Sequence, residues 1–419
     1  MATVIFKPTE SCNSRCIYCD VVHKEPRTPS TMPLETLELF FSRVNEFLVE
    51  RPEEQLEIIW HGGEPLLLGP EYFYHAIRFQ EKHCAGTARR IRHNIQSNLT
   101  LFNREFAGIF RKLGISSIGT SYDPAGNIRG LGSNRDSSSY NRKFMEALAI
   151  VEEEGFNWGV IHVVTRLSLA RPLEIFRFLT NLSPRSSIML NPVLLYSKRL
   201  EQLKISPEEY ADFLGAIFPL WWARRDEFPQ VQPFHYLTKT LLEGGRSLMC
   251  CDSGACAHTH LNILPDGSLS HCGRSADWGL LDYGSIFDKS FSQALADPQR
   301  ETLLSRNEIL VDGDCSGCRF WDICHGGCPL DAWSAAGSFL HKSEWCQAKK
   351  GFIEKYLEPV VHGKEPIVPV SPPPQADQPS SEQPPGDTAV DSPAQYRQGS
   401  QEPPLWIDPI GGLGDTLMI

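Results

Sequence analysis

Three cysteines stand within eight residues near the start of the chain, Cys12, Cys16 and Cys19, in the pattern C-x3-C-x2-C. A fold that houses them must end a rigid element at this loop and hold three thiols on one side of it. Three thiolates bind three irons of a cubane [4Fe–4S] cluster and leave the fourth iron open to a small molecule. The spacing alone also admits a zinc site, which would recruit a fourth Cys or His nearby, and a chance grouping of buried thiols.

The chain has 419 residues, more than one hydrophobic core usually serves, so more than one domain is expected. Its formal net charge of −11 disfavours broad binding to nucleic acid or anionic membrane. No run of about 20 apolar residues predicts a membrane-spanning helix. The start, MATVIFKPTESC, lacks the basic region and apolar core of a signal peptide, so a cytoplasmic location is expected. Thiols stay reduced there, and clustered cysteines read as metal ligands rather than disulfides. The thirteen cysteines comprise the opening triad, a set of Cys250, Cys251, Cys256 and Cys272, a set of Cys315, Cys318, Cys324, Cys328 and Cys346, and an isolated Cys84 that reads as a buried thiol.

Strands are expected at 2–7, 56–60, 89–98, 115–123, 157–165 and 187–195. Helical periodicity is expected at 32–50, 71–84, 103–113, 140–154, 172–180 and 206–224. This alternation predicts βαβ units in a parallel sheet, an α/β fold with about six units, short of the eight of a full (β/α)8 barrel. After residue 240 the cysteines crowd in, and 261–272 reads as a hairpin with a Pro-Asp-Gly turn. A segment of this kind draws folding energy from metal. The expected domains are 1–238, 239–360, a Pro-rich disordered linker over 361–404, and an apolar C-terminal peptide over 405–419.

The triad, followed one βα unit later by His61-Gly62-Gly63-Glu64-Pro65, resembles the radical S-adenosylmethionine (SAM) superfamily over about residues 3–235. The resemblance implies a partial (β/α)6 TIM-like barrel. It also implies a cluster on Cys12, Cys16 and Cys19 that chelates SAM and cleaves it to a 5′-deoxyadenosyl radical. Gly62 and Gly63, lacking Cβ, would let backbone carbonyls approach the SAM ammonium, with Glu64 adding negative charge. Tyr18 matches the position whose backbone meets adenine. Gln96-Ser97-Asn98 and Ser121-Tyr-Asp123 resemble strand-end motifs that face SAM, though Pro124 replaces an expected glycine. Arg129 is favoured over Arg135 for the SAM carboxylate. No catalytic base is assigned; Asp123 and the histidines qualify only by polarity.

Cys315-x2-Cys318-x5-Cys324-x3-Cys328 with Cys346 resembles the SPASM domain, a C-terminal extension of radical SAM enzymes that modify peptides. The resemblance implies two auxiliary clusters, hence three [4Fe–4S] clusters in all. One would use Cys250, Cys256, Cys272 and Cys328, with Cys251 as the alternative to Cys250. The other would use Cys315, Cys318, Cys324 and Cys346. Zinc is the competing metal. Sulfatase maturases carry an acid directly after the cysteine matching Cys272; here it is Gly273. The runs 272–286 and 324–333 are more similar to maturases of ribosomally made peptides, including those that form cyclophanes. The expected function is therefore a radical SAM/SPASM peptide maturase that installs a cross-link. The alternatives are action on a folded protein in the manner of a sulfatase maturase, action on a small molecule, and a non-catalytic metal-binding protein. An electron donor such as flavodoxin or ferredoxin is implied. Only 11 residues precede Cys12, so a leader-binding domain is not expected. Trp406-Ile407-Asp408 makes 405–419 a candidate substrate or docking peptide, beside a precursor peptide supplied in trans.

Overall fold

The computed structural model describes residues 1–19, 31–124, 127–182, 186–194, 198–228, 230–244 and 248–364. The expectations for the linker and the apolar peptide fall, from residue 365 onward, outside the described residues.

Seven strands run parallel in chain order: β1 (Ala2–Thr9), β2 (Leu56–Gly62), β3 (Ile91–Gln96), β4 (Ile115–Ser121), β5 (Asn157–Val164), β6 (Ser187–Pro192) and β7 (Val231–Gln232). The helices between them are α1 (Leu34–Glu50), α2 (Gly69–Cys84), α3 (Arg104–Leu113), α4 (Ser137–Glu153), α5 (Pro172–Leu182) and α6 (Pro207–Ala223). This is the expected α/β partial barrel. The two-residue β7 is an addition, too short to leave a periodic signal.

The amphipathic pattern decides the packing. In α1 the buried residues Leu37, Phe40, Phe41, Val44, Phe47 and Leu48 recur at helical spacing. Phe40 stacks on Phe6 of β1 at 4.2 Å, and Phe6 meets Trp60 of β2 edge-on at 4.9 Å. Helix ends follow local signals. Asn103 caps α3 by accepting from Phe106 N, Gly114 ends it in the left-handed region, and Ser206 with Glu209 forms a capping box on α6.

The cysteine-rich part does not form a separate sheet. Its hairpin, β8 (His260–Ile263) and β9 (Ser268–Ser270), continues the barrel sheet, because β8 pairs parallel with β1 from Thr3↔His260 to Phe6↔Ile263. With β10 (Asp282–Ser285) the sheet has ten strands among the described residues, ordered β10-β9-β8-β1-β2-β3-β4-β5-β6-β7. Helix α7 (Phe234–Glu243) and the later helix α8 (Cys346–Phe352) close the other side. Phe352 stacks on Phe234 at 5.5 Å and meets Phe218 of α6 at 5.4 Å. Side chains alternate along β1, so Lys7 points away from the α1 face. Its Nζ donates to Gly273 O and Asp277 Oδ1, both at 3.0 Å, tying the first strand to the cysteine-rich part. No helix among the described residues is long and apolar enough to cross a membrane.

Candidate functional site

The ends of β1 to β5 converge on the Cys12–Cys19 loop. Gly63 N donates to Thr9 O at 2.9 Å and Glu64 N to Ser11 O at 2.8 Å. A Cβ on Gly62 or Gly63 would lie 2.1 Å from the Thr9 or Ser11 carbonyl oxygen respectively, and Gly62 has φ +120°. The glycines are therefore required where β2 seats against the cysteine loop itself, a need the sequence reading did not foresee. On the opposite side the loop is laced to the segment after β4. Arg15 N donates to Gly130 O, Ile17 N to Ile128 O, and Gly132 N to Asn13 O, at 2.8, 3.0 and 2.9 Å.

Glu64 is 1% exposed and accepts three hydrogen bonds, from Leu66 N at 3.0 Å, Ser97 Oγ at 2.8 Å and Asn98 N at 2.7 Å. It clamps the end of β2 to the end of β3. Burial pushes its pKa up to about 7, against the lowering pull of those donors. Asn98 extends the clamp, donating from Nδ2 to Asn13 Oδ1 at 2.8 Å and Ser14 Oγ at 3.2 Å, with Cys12 Sγ at 3.9 Å. Ser121 accepts from Gln96 Nε2 at 3.2 Å at the mouth of the same sheet.

A second buried network runs from the cysteine loop into the barrel. Arg129 Nε donates to Asp123 Oδ2 at 2.6 Å, and its Nη1 lies 3.8 Å from Cys16 Sγ. Tyr18 Oη donates to Asp123 Oδ2 at 2.5 Å and accepts from Arg129 Nη2. The other oxygen of Asp123 meets His162 Nδ1 at 3.0 Å, and His162 Nε2 meets Ser168 Oγ at 3.2 Å. Burial would raise the Asp123 pKa, but Arg129, and then His162 and Tyr18, hold it far below the ordinary carboxylate range. Arg129 is buried in this network, whereas Arg135 lies on the exposed face. His162 and Ser168 had no signal in the sequence beyond polarity.

Most of the later cysteines gather around Cys250 or around Cys315. Cys250 lies among Cys256, Cys328, Cys251 and Cys272; burial first, and then these neighbours, drive its pKa well above the ordinary thiol value. Cys315 lies among Cys324, Cys346 and Cys318, and burial followed by these thiols pushes it up to about 11. Cys251 turns instead toward Asp252 and Lys349. Lys349 pairs with Asp252, whose Oδ2 also accepts from Tyr236 Oη at 2.6 Å. Arg274 Nη1 donates to Cys328 Sγ at 3.4 Å while its Nη2 binds Asp331 at 2.6 Å. Cys84 is buried under α1, donating to Phe41 O at 3.4 Å.

The donor sets fit iron–sulfur clusters. Burial first, and then neighbouring thiols, favour the protonated form of Cys250, Cys256 and Cys315. A cationic metal core would take them as thiolates and satisfy the site. Among the described residues, no group of three or more His, Cys, Asp or Glu could hold a single metal ion. A cubane spreads its ligands over four irons and leaves them wider apart.

Comparison with known proteins agrees with this geometry. Residues 6–179 match the family model of the radical SAM superfamily. The chain is 25% identical over 384 residues to a cysteine-type anaerobic sulfatase-maturating enzyme of Clostridium novyi, covering 86% of this chain and 96% of that one. Among solved structures it is similar to native anSMEcpe with bound AdoMet and Cp18Cys peptide, with a TM-score of 0.72, 22% identity, and coverage of 86% of this chain and 98% of that one. It is also similar to Streptococcus suis SuiB bound to its precursor peptide SuiA, with a TM-score of 0.53, 17% identity, and coverage of 83% and 76%. The three-thiol loop sits on a partial barrel that matches the radical SAM superfamily over residues 6–179, with a cysteine-rich extension grown onto β1, and the chain is a radical SAM enzyme.

Proposed function

We propose that this chain is a SAM-dependent maturase that removes hydrogen from a residue in a peptide segment, with three [4Fe–4S] clusters. The observation that supports the reading is the three-thiol loop after β1 together with later thiols that gather around Cys250 and around Cys315. Cys12, Cys16 and Cys19 would hold the radical-generating cluster. Cys250, Cys256, Cys272 and Cys328 would hold one auxiliary cluster, and Cys315, Cys318, Cys324 and Cys346 the other. When bound, cluster and SAM supply a 5′-deoxyadenosyl radical after one electron arrives from a donor of the flavodoxin or ferredoxin type. The chain's own part is to orient. Gly62, Gly63 and Glu64 with Ser97 and Asn98 fix the loop that presents SAM. Tyr18, Ser121 and Arg129 line the side reached by the Asp123 network. The substrate would give one hydrogen atom to that radical and so release 5′-deoxyadenosine. An auxiliary cluster, when bound, would supply an acceptor for the second electron, and the proton would leave to a base.

The relatives named as sulfatase-maturating enzymes, spanned almost end to end, support a substrate segment within a protein. Gly273, which stands where those enzymes would place an acid, and the likeness to SuiB support the second reading, a ribosomally made precursor peptide that is cross-linked. The segment 405–419 is a candidate substrate or docking peptide for the same site. Anaerobically reconstituted protein, given SAM and dithionite, should release 5′-deoxyadenosine. Mass spectrometry of a sulfatase peptide, a precursor peptide and the chain's own 405–419 segment would then find the product. Loss of two hydrogens without linkage marks oxidation, and a new cross-linked fragment marks the second reading. No 5′-deoxyadenosine from protein carrying its full iron would sink the proposal.

A further inference from the structure

Arg306 opens the short helix Arg306–Asp312 and is 3% exposed. All its hydrogen bonds among the described residues go to backbone carbonyls. Nε donates to Phe339 O at 2.7 Å, Nη1 to His325 O at 3.1 Å, and Nη2 to Gly326 O at 3.1 Å and His341 O at 2.9 Å. No carboxylate pairs with it among the described residues. The other cations near these thiols differ. Lys349 is paired with Asp252 and Arg274 with Asp331. Arg300, also bound to carbonyls, has Cys256 and Cys272 as its thiol neighbours, both of one group. A buried guanidinium without a counter-ion is costly, and carbonyl dipoles offset only part of that cost.

The missing anions lie on two sides. A cavity beside Arg306 is lined by Cys250 and Cys256 of the first group. On its other side sits Gly326, where a Cβ would lie 3.5 Å from Arg306 Nη2 and 3.6 Å from Cys315 Sγ of the second group. The charge of Arg306 acts on Cys328 and Cys256 of one group and on Cys315 and Cys324 of the other. A cubane held by four thiolates carries net negative charge, and reduction adds to it. We propose that Arg306 is the positioning residue shared by the two auxiliary clusters, whose buried positive charge raises both reduction potentials together. The inference rests on the cluster reading under Proposed function.

The test is potentiometry followed by electron paramagnetic resonance on reconstituted full-length protein in which Cys12, Cys16 and Cys19 are alanine, so that only the auxiliary clusters report. Iron content comes first. Without iron on the second-part cysteines, the cluster reading itself fails and takes this inference with it. With iron present, Arg306→Met should lower both midpoints, each by a tenfold or larger change in the reduction equilibrium, about 59 mV for a one-electron couple. Arg306→Lys keeps the charge but cannot fill the carbonyl cage, and should stay near the unsubstituted potentials. Unmoved potentials in Arg306→Met, movement of one couple alone, or Arg306→Lys falling as far as Arg306→Met would each overturn the inference while leaving the clusters standing. Should Arg306→Met fail to hold iron, Arg306→Lys decides. Both clusters at unshifted potentials support a charge role, and loss of iron there too assigns Arg306 to the cage alone.

Discussion

The two cysteine regions are built on opposite plans. The Cys12–Cys19 loop is held by regular structure around it. Backbone bonds run to the ends of β1 and β2 and to residues 128–132, and Glu64 and Asn98 add side-chain clamps. None of these bonds passes through a metal. The region from Cys250 to Cys346 has short helices of four to eight residues, and its buried cations reach across between loops. Its shape depends on what the thiols hold. A site that must bind and release a small molecule gains from a rigid frame, whereas a site that only stores and passes electrons can be folded by its own cofactor.

Breaking one region and then the other gives the largest expected effect. Cys12→Ala should abolish 5′-deoxyadenosine formation and lower iron from about twelve to about eight per chain, if three four-iron clusters are present. Cys318→Ala should lose a similar share of iron yet still cleave SAM, now uncoupled from substrate modification. Loss of SAM cleavage in Cys318→Ala would erase the distinction. Chelation sharpens it further. Hydrogen exchange on iron-free protein should show amides between 250 and 346 losing protection while those of β2 to β5 keep theirs. Equal loss in both would mean that the barrel also needs metal.

The smallest effect tests the clamp. In Glu64→Gln the amide must turn an N–H toward Leu66 N, Ser97 Oγ or Asn98 N, all of which are already donating. Urea unfolding should report a loss of about 1–3 kcal/mol, and SAM binding should weaken. An unchanged midpoint would show that the loop is held by its backbone bonds alone.

Much of this was legible in the sequence, and unevenly so. The six main strand–helix units could be read because burial there is periodic, as Leu37, Phe40, Phe41, Val44, Phe47 and Leu48 show. Close cysteine spacing marked the metal-bearing loops. Contacts between distant segments left no such trace. Nothing near Asp123 announces that Arg129, Tyr18 and His162 all converge on it. The carbonyl cage of Arg306 draws on residues from 325 to 341, and carbonyls have no side-chain signature. The close seating of Gly62 and Gly63 against the Thr9 and Ser11 carbonyls is a contact between distant segments of the same kind.

The pairing of β1 with β8 has a consequence for synthesis. During synthesis β1 finds β2 within about fifty residues, but its other edge waits until Ile263 has been made. At about 5–20 residues per second that interval is roughly 13–50 s. Through it the nascent chain carries an unpaired strand edge directly beside three thiols, the kind of edge that invites pairing with another chain. The hairpin that bears Cys272 just past its end is thus also the latch that covers this edge, which closes only when the cysteine-rich region begins to form.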